Sequence, residues 1–132
     1  MSVTNLLAVL GNEDYVVSLQ ARDHEILADE PTDLGGNDQG LTPYELILAS
    51  LGACTSVTLK MYAQRKGWQV DDIDVKLQLT IESDSTPIIS RKITVNGTLD
   101  SEQRERLLQI ANACPVHKLL TKPLEVESTI TP

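Results

Sequence analysis

Thr42-Pro-Tyr-Glu-Leu-Ile-Leu-Ala-Ser-Leu-Gly-Ala-Cys-Thr-Ser-Val-Thr-Leu-Lys-Met-Tyr-Ala-Gln-Arg-Lys66 is the stretch on which the fold turns. Three signals start a helix here. Thr42 is an N-cap, Pro43 fills the first helical position, and Glu45 follows the cap by three residues to complete a capping box. Gly67 stops the run, so the helix is predicted over about 43–66. From Leu46 to Leu59 the segment is apolar or small all round, which predicts burial on more than one face. Ala49, Ser50, Gly52 and Ala53 let another backbone come close, so the helix is expected to pack against a sheet and a neighbouring helix. A membrane span is the rival reading. Glu45, Ser50, Thr55, Ser56, Thr58 and Lys60 interrupt the run short of the roughly 18 apolar residues that a span needs.

On the N-terminal side, Val3–Leu10 and Tyr15–Gln20 read as strands parted by the turn Gly11-Asn-Glu-Asp14, and a third strand is expected around Glu25–Ala28. They make an antiparallel meander. Asp29–Leu41, rich in Pro, Asp, Gly and Asn, lacks the Gly spacing and Lys of a phosphate cradle and predicts a mobile covering loop. On the C-terminal side, alternation at Ile73–Ile81 and Ile89–Val95 predicts a hairpin with one buried and one wet face. Asp100 and Gln103 mark a second helix start, and Leu107, Leu108, Ile110 and Ala111 give it an apolar stripe. Cys114-Pro115 breaks that helix, Val116–Thr121 adds a turn or two, and Leu124–Ile130 alternates as a last strand. The predicted class is α+β with mainly antiparallel strands, in a single domain over 1–132.

Composition narrows the function. Eleven basic against 19 acidic residues give a net charge of −8, a poor match for nucleic acid or an anionic membrane. The N-terminus has no basic flank and its apolar run is too short for a signal peptide, so a cytoplasmic location is expected and a permanent disulfide disfavoured. With no Phe and 3% aromatics, a substrate pocket would be walled by Leu, Ile, Val and Met.

The chain has two cysteines, in unlike settings. Cys54 lies mid-helix, away from the positive end that lowers a thiol pKa, so its reactivity requires a cation from another segment; its bland reading is a packed core thiol. Cys114 heads Cys-Pro-Val-His117 at a helix break, where free N–H groups, His117 and Lys118 favour thiolate. Arg22 in Arg-Asp-His24 reads as a surface turn residue, or as a guanidinium that stabilises a thiolate. Glu45 is explained by its capping box, with orientation of such an arginine as the second reading. Cys54, Cys114, His117 and His24 match no compact zinc spacing, and no metal is expected.

Gly-Gly-x-Asp-x-Gly-x-x-Pro-Tyr-Glu-Leu over Gly35–Leu46, Leu51-Gly-Ala-Cys-Thr55, Met61-Tyr-Ala63, Lys66-Gly-Trp68 and Cys114-Pro-Val-His-Lys118 together resemble the OsmC/Ohr family of osmotically inducible and organic-hydroperoxide-resistance proteins. The resemblance implies an intertwined homodimer, its long Cys-bearing helix sandwiched between antiparallel sheets. It implies a thiol-dependent reductase of organic hydroperoxides, with no bound cofactor and an external dithiol, such as a lipoyl protein, as reductant. Cys54 would match the peroxidatic cysteine, Cys114 the resolving cysteine, and Arg22, ordered by Glu45, the activating arginine reaching over from the partner subunit. Tyr44, Leu51 and His117 would border the substrate. One departure is visible: family peroxidases carry Glu directly after the helix-start Pro, whereas here Tyr44 stands there and the carboxylate comes one residue later. A one-residue step turns a helical side chain by about 100°.

Overall fold

The computed structural model describes all 132 residues. They divide into two compact units, Met1–Ile47 and Leu48–Pro132. In the first, β1 (Leu7–Leu10), β2 (Val17–Ala21) and β3 (His24–Ala28) form the expected antiparallel meander, in the order β1-β2-β3. Leu7 pairs with Gln20 and Ala21 with His24, so Arg22 and Asp23 form a two-residue turn, with Arg22 at a φ of 55°. The first two strands start later than the alternation suggests, because a strand extends only as far as a neighbour supplies hydrogen bonds.

The loop after β3 is held by a set of hydrogen bonds centred on Asp29. Asp29, only 1% exposed, accepts the backbone N–H groups of Glu30, Asn37 and Gln39 at 2.7, 3.2 and 3.0 Å. The backbone closes on itself through Gly36 N–H to the Pro31 carbonyl and Asp38 N–H to the Glu30 carbonyl, both at 3.1 Å. Composition identified a loop but not the buried carboxylate that organises it.

Helix α1 (Pro43–Lys66) has the predicted limits and continues from the first unit into the second. Its capping box is present, with Thr42 N–H donating to Glu45 Oε1 at 2.9 Å and Glu45 N–H to Thr42 Oγ1 at 3.2 Å. It ends at Gly67, whose φ of 70° suits a residue without a Cβ, and Trp68 N–H closes onto the Ala63 carbonyl. Length and composition make α1 apolar enough to cross a membrane, with mean hydropathy 1.4 over its best window. Polar interruptions therefore do less to lower its hydropathy than the sequence reading supposed. Of that window 22% is buried within the chain, and Val57 and Met61 are exposed.

In the second unit β4 (Gln69–Thr80) and β5 (Ile88–Thr98) pair antiparallel, with a bulge between Val70 and Asp72. Helix α2 (Ser101–Ala111) starts with a complete Asp100–Gln103 capping box, and α3 (Pro115–Leu120) follows after a break. Leu59, Tyr62 and Ala63 of α1, Val70 of β4, Val95 of β5, and Leu107 and Ala111 of α2 form the core. At Gly52 a Cβ would stand 2.8 Å from Leu77 Cδ1, so the missing side chain lets α1 lie close to β4. The strand expected at Leu124–Ile130 is absent: no backbone pairs with it, and Leu124, Val126 and Ile130 are exposed. Alternation makes a segment capable of pairing, but a free edge must be present to receive it.

Candidate active site: a cysteine pair beside an unpaired arginine

Two elements of the second unit bring the cysteines together. Cys54 sits on α1, half-buried; Cys114, fully buried, is the residue that precedes the first turn of α3. Pro115 cannot continue α2, so the chain turns there, with Ala113 N–H bonded to the Ile110 carbonyl at 2.8 Å and Cys114 N–H to the Ala111 carbonyl at 3.3 Å. The turn presents the N–H groups of Val116 and His117 to the Cys114 sulfur. The two cysteines are close enough that each shifts the acidity of the other, and both are free thiols.

Their environments separate their acidities. Burial pushes the Cys54 thiol up, and its neighbour Cys114 pushes it further, against the Val116 N–H and the Thr58 hydroxyl. Burial also works upward on Cys114. There the Cys54 thiol, the His117 and Val116 N–H groups and the Thr55 hydroxyl outweigh it, and the thiol lies below its ordinary value. Of the two, Cys114 is therefore the more acidic thiol.

A cation from another segment, Arg91 on β5, reaches Thr55, the residue next to Cys54. Arg91 donates from Nη1 to Thr55 Oγ1 at 3.0 Å and to the Ala111 carbonyl at 3.4 Å, and from Nη2 to Asn112 Oδ1 at 3.2 Å. His117 Nδ1 lies 3.2 Å from the same Nη2 and accepts from it, which fixes the neutral ring with its proton on Nε2. Burial and the nearby Arg91 charge both hold the His117 pKa down, in keeping with that tautomer. All four acceptors are neutral, so the guanidinium charge is unspent. Thr55, fully buried, transmits it: its hydroxyl accepts from Arg91, and its single proton serves either the Leu51 carbonyl, at 2.7 Å, or the Cys114 sulfur.

Beside this network is a cleft of about 410 Å³. Arg91, Asn112 and His117 give it a polar side, and Leu51, Ile89, Leu108 and Leu120 an apolar one. The aliphatic walls agree with the expectation drawn from the absence of Phe.

Of the residues singled out in the sequence, Cys54, Cys114, Leu51 and His117 come together in the second unit. Arg22, Tyr44 and Glu45 belong to the first. Arg22 occupies the β2–β3 turn, Tyr44 is exposed, and Glu45 uses Oε1 to cap α1. Arg91 was missed, although a signal was present: in Ile89-Ser-Arg-Lys-Ile-Thr-Val95 it falls in phase with Ile89, Ile93 and Val95, on the inward face. A charged residue in the buried phase of a strand has a partner to find.

Residues 35–129 match the model of the OsmC-like protein family, and the chain belongs to that family. No curated protein matches it in sequence. Among solved structures it is similar to the OsmC-like protein of Mycoplasma pneumoniae, with TM-score 0.78 at 19% identity, covering 90% of this chain and 87% of that one. It is also similar to an organic hydroperoxide resistance protein OsmC of Legionella pneumophila, with TM-score 0.65 at 19% identity and coverages of 92% and 90%. A third is the organic hydroperoxide resistance protein OhrB of Bacillus subtilis, with TM-score 0.62 at 23% identity and 91% of each chain covered. At these identities the likeness establishes the fold.

Proposed function

We propose that this protein is a thiol-dependent hydroperoxide reductase that cycles between the Cys54/Cys114 dithiol and a disulfide. The observation that carries the reading is the pair of free cysteines, drawn from positions 54 and 114 close enough to influence each other's acidity. Cys54 is the nucleophile because a substrate can reach it, whereas Cys114 is fully buried. Transfer of the Cys54 proton to a Cys114 thiolate leaves a Cys54 thiolate, which the Val116 N–H and the Thr58 hydroxyl favour.

That thiolate attacks the distal peroxide oxygen. An S–O bond forms, the O–O bond breaks, and the alkoxide leaves as alcohol with the proton held by Cys114. The Cys114 thiolate so regenerated attacks the Cys54 sulfenic acid; an S–S bond forms, hydroxide leaves and is protonated by solvent. The two electrons come from the thiol pair, and an external dithiol, such as that of a lipoyl protein, restores it. Arg91 holds Thr55 against Cys114 and supplies the local positive field, a part the sequence had given to Arg22 and Glu45. The working unit is a homodimer, which would cover the exposed apolar face of α1.

Peroxide consumption with a dithiol reductant is expected to vanish in Cys54→Ser, and wild-type rates in that variant would refute the reading. Cys114→Ser should still form one equivalent of sulfenate. The alternative is a non-catalytic protein that binds a small hydrophobic molecule, and the aliphatic side of the cleft favours it. Mass spectrometry after mild peroxide treatment separates the two: a 54–114 disulfide belongs to the reductase, unreacted thiols to the binder.

A further inference from the structure

Three of the chain's eleven basic residues converge on one tyrosine. Arg65 Cζ, Lys66 Nζ and Arg106 Cζ lie 5.9, 5.7 and 5.8 Å from the centroid of the Tyr62 ring. These four residues line an open pocket of about 370 Å³ where the end of α1 meets α2. No carboxylate takes part, although acidic residues outnumber basic ones in the chain. Arg106 is aimed by two bonds to neutral atoms, from Nε to Tyr62 Oη at 3.1 Å and from Nη1 to Gln109 Oε1 at 2.9 Å.

The donor inventory decides what fits. Arg106 Nη2, the Arg65 guanidinium and the Lys66 ammonium have no protein acceptor, and the Tyr62 oxygen, already accepting from Arg106, has its proton to give. The pocket offers positive charge and N–H or O–H donors. Its complement is a compact group made only of acceptors. A carboxylate brings one negative charge to three cations. A terminal phosphate brings about 1.5 to 2, with three equatorial oxygens to share among two forks and an ammonium.

We propose that Tyr62, Arg65, Lys66 and Arg106 form a binding site for a phosphate group, free or at the end of a small phosphomonoester. Arg106 and Arg65 hold it through their planar forks, Lys66 as a point charge, and Tyr62 donates its hydroxyl. The site is independent of the thiol chemistry, since none of its residues touches either cysteine.

Titration calorimetry with inorganic phosphate at constant ionic strength should give saturable binding of one ion per chain. Arg65→Met and Arg106→Met should each weaken it about tenfold or more, as loss of a charge-assisted bond does. Lys66→Met tests the third cation separately should the Arg106 variant fold poorly. Tyr62 gives a local readout. The Arg106 bond and the three charges hold its pKa below the ordinary tyrosine value, so a bound anion must move its phenolate absorbance to higher pH. Glycerol phosphate binding as well as free phosphate identifies a terminal phosphoryl group as the ligand, and preference for the free ion identifies inorganic phosphate. Equal affinity for acetate or chloride, unchanged binding in all three variants, or an unmoved Tyr62 titration would overturn the proposal.

Discussion

Cys54 and Cys114 shift each other's acidity, so each reports on the other. Because Cys54 helps to hold the Cys114 pKa down, Cys54→Ala should raise it, visible as a shift of the thiolate absorbance titration to higher pH. An unmoved titration would mean that Cys54 contributes nothing to the acidity of Cys114. Arg91→Met should weaken the same thiolate signal and slow peroxide turnover by roughly 10- to 100-fold, the scale of a lost charge-assisted bond. Arg91→Lys should recover only part, since an ammonium cannot bond Thr55, Ala111, Asn112 and His117 from one plane. His117 sets a pH dependence. Its folded pKa is depressed, so below about 6.5 the unfolded chain takes up a proton that the fold resists, and stability falls with pH. His117→Gln should flatten urea stability between pH 7 and 5.5. Asp29 acts lower: burial opposes its charge but three N–H groups prevail, its pKa is depressed, and its stabilisation is lost as pH drops below 3.8. Both cysteines were legible as chemistry in the sequence; the Arg91 network on Thr55 and His117 was not, because Arg91 is distant from both in the chain.

Elements that carry their own punctuation were read correctly from local signals. Helix α1 has the limits that Thr42, Pro43, Glu45 and Gly67 prescribe, and α2 starts at the Asp100–Gln103 box; each signal acts within a single turn of backbone. Asp100→Ala should cost about 1 kcal/mol in urea unfolding without altering thiol reactivity. Gly52→Val tests the contact between α1 and β4. A side chain there meets Leu77 Cδ1, and forced repacking of that kind costs about 1–3 kcal/mol. Strands depend on what lies next to them. The hairpin β4–β5 runs longer than its alternating core because each strand supplies the other with partners, whereas Leu124–Ile130 alternates and pairs with nothing. In the loop 29–41 the hydrogen bonds were hidden for a related reason: they come from one carboxylate bonding N–H groups up to ten residues away.

For the molecule as a whole, the apolar surface left over matters most. Val57 and Met61 on α1 are 54% and 59% exposed, and Val126 and Ile130 81% and 96%, which a second copy of the chain would cover. On the proposed homodimer, Met61→Asp is expected to lower the light-scattering mass towards that of a single chain and to lower turnover with it; an unchanged mass would speak against α1 as the interface. Periodicity, caps and the two cysteine contexts determined the α+β class, the long helix and the family, because those properties act over a few residues or survive as local motifs. Only the tertiary structure decided that Cys54 and Cys114 are neighbours, that Arg91 joins Thr55, Asn112 and His117, and that Asp29 organises the loop. Those contacts join residues far apart in the chain, and their strength comes from burial, which sequence spacing does not record.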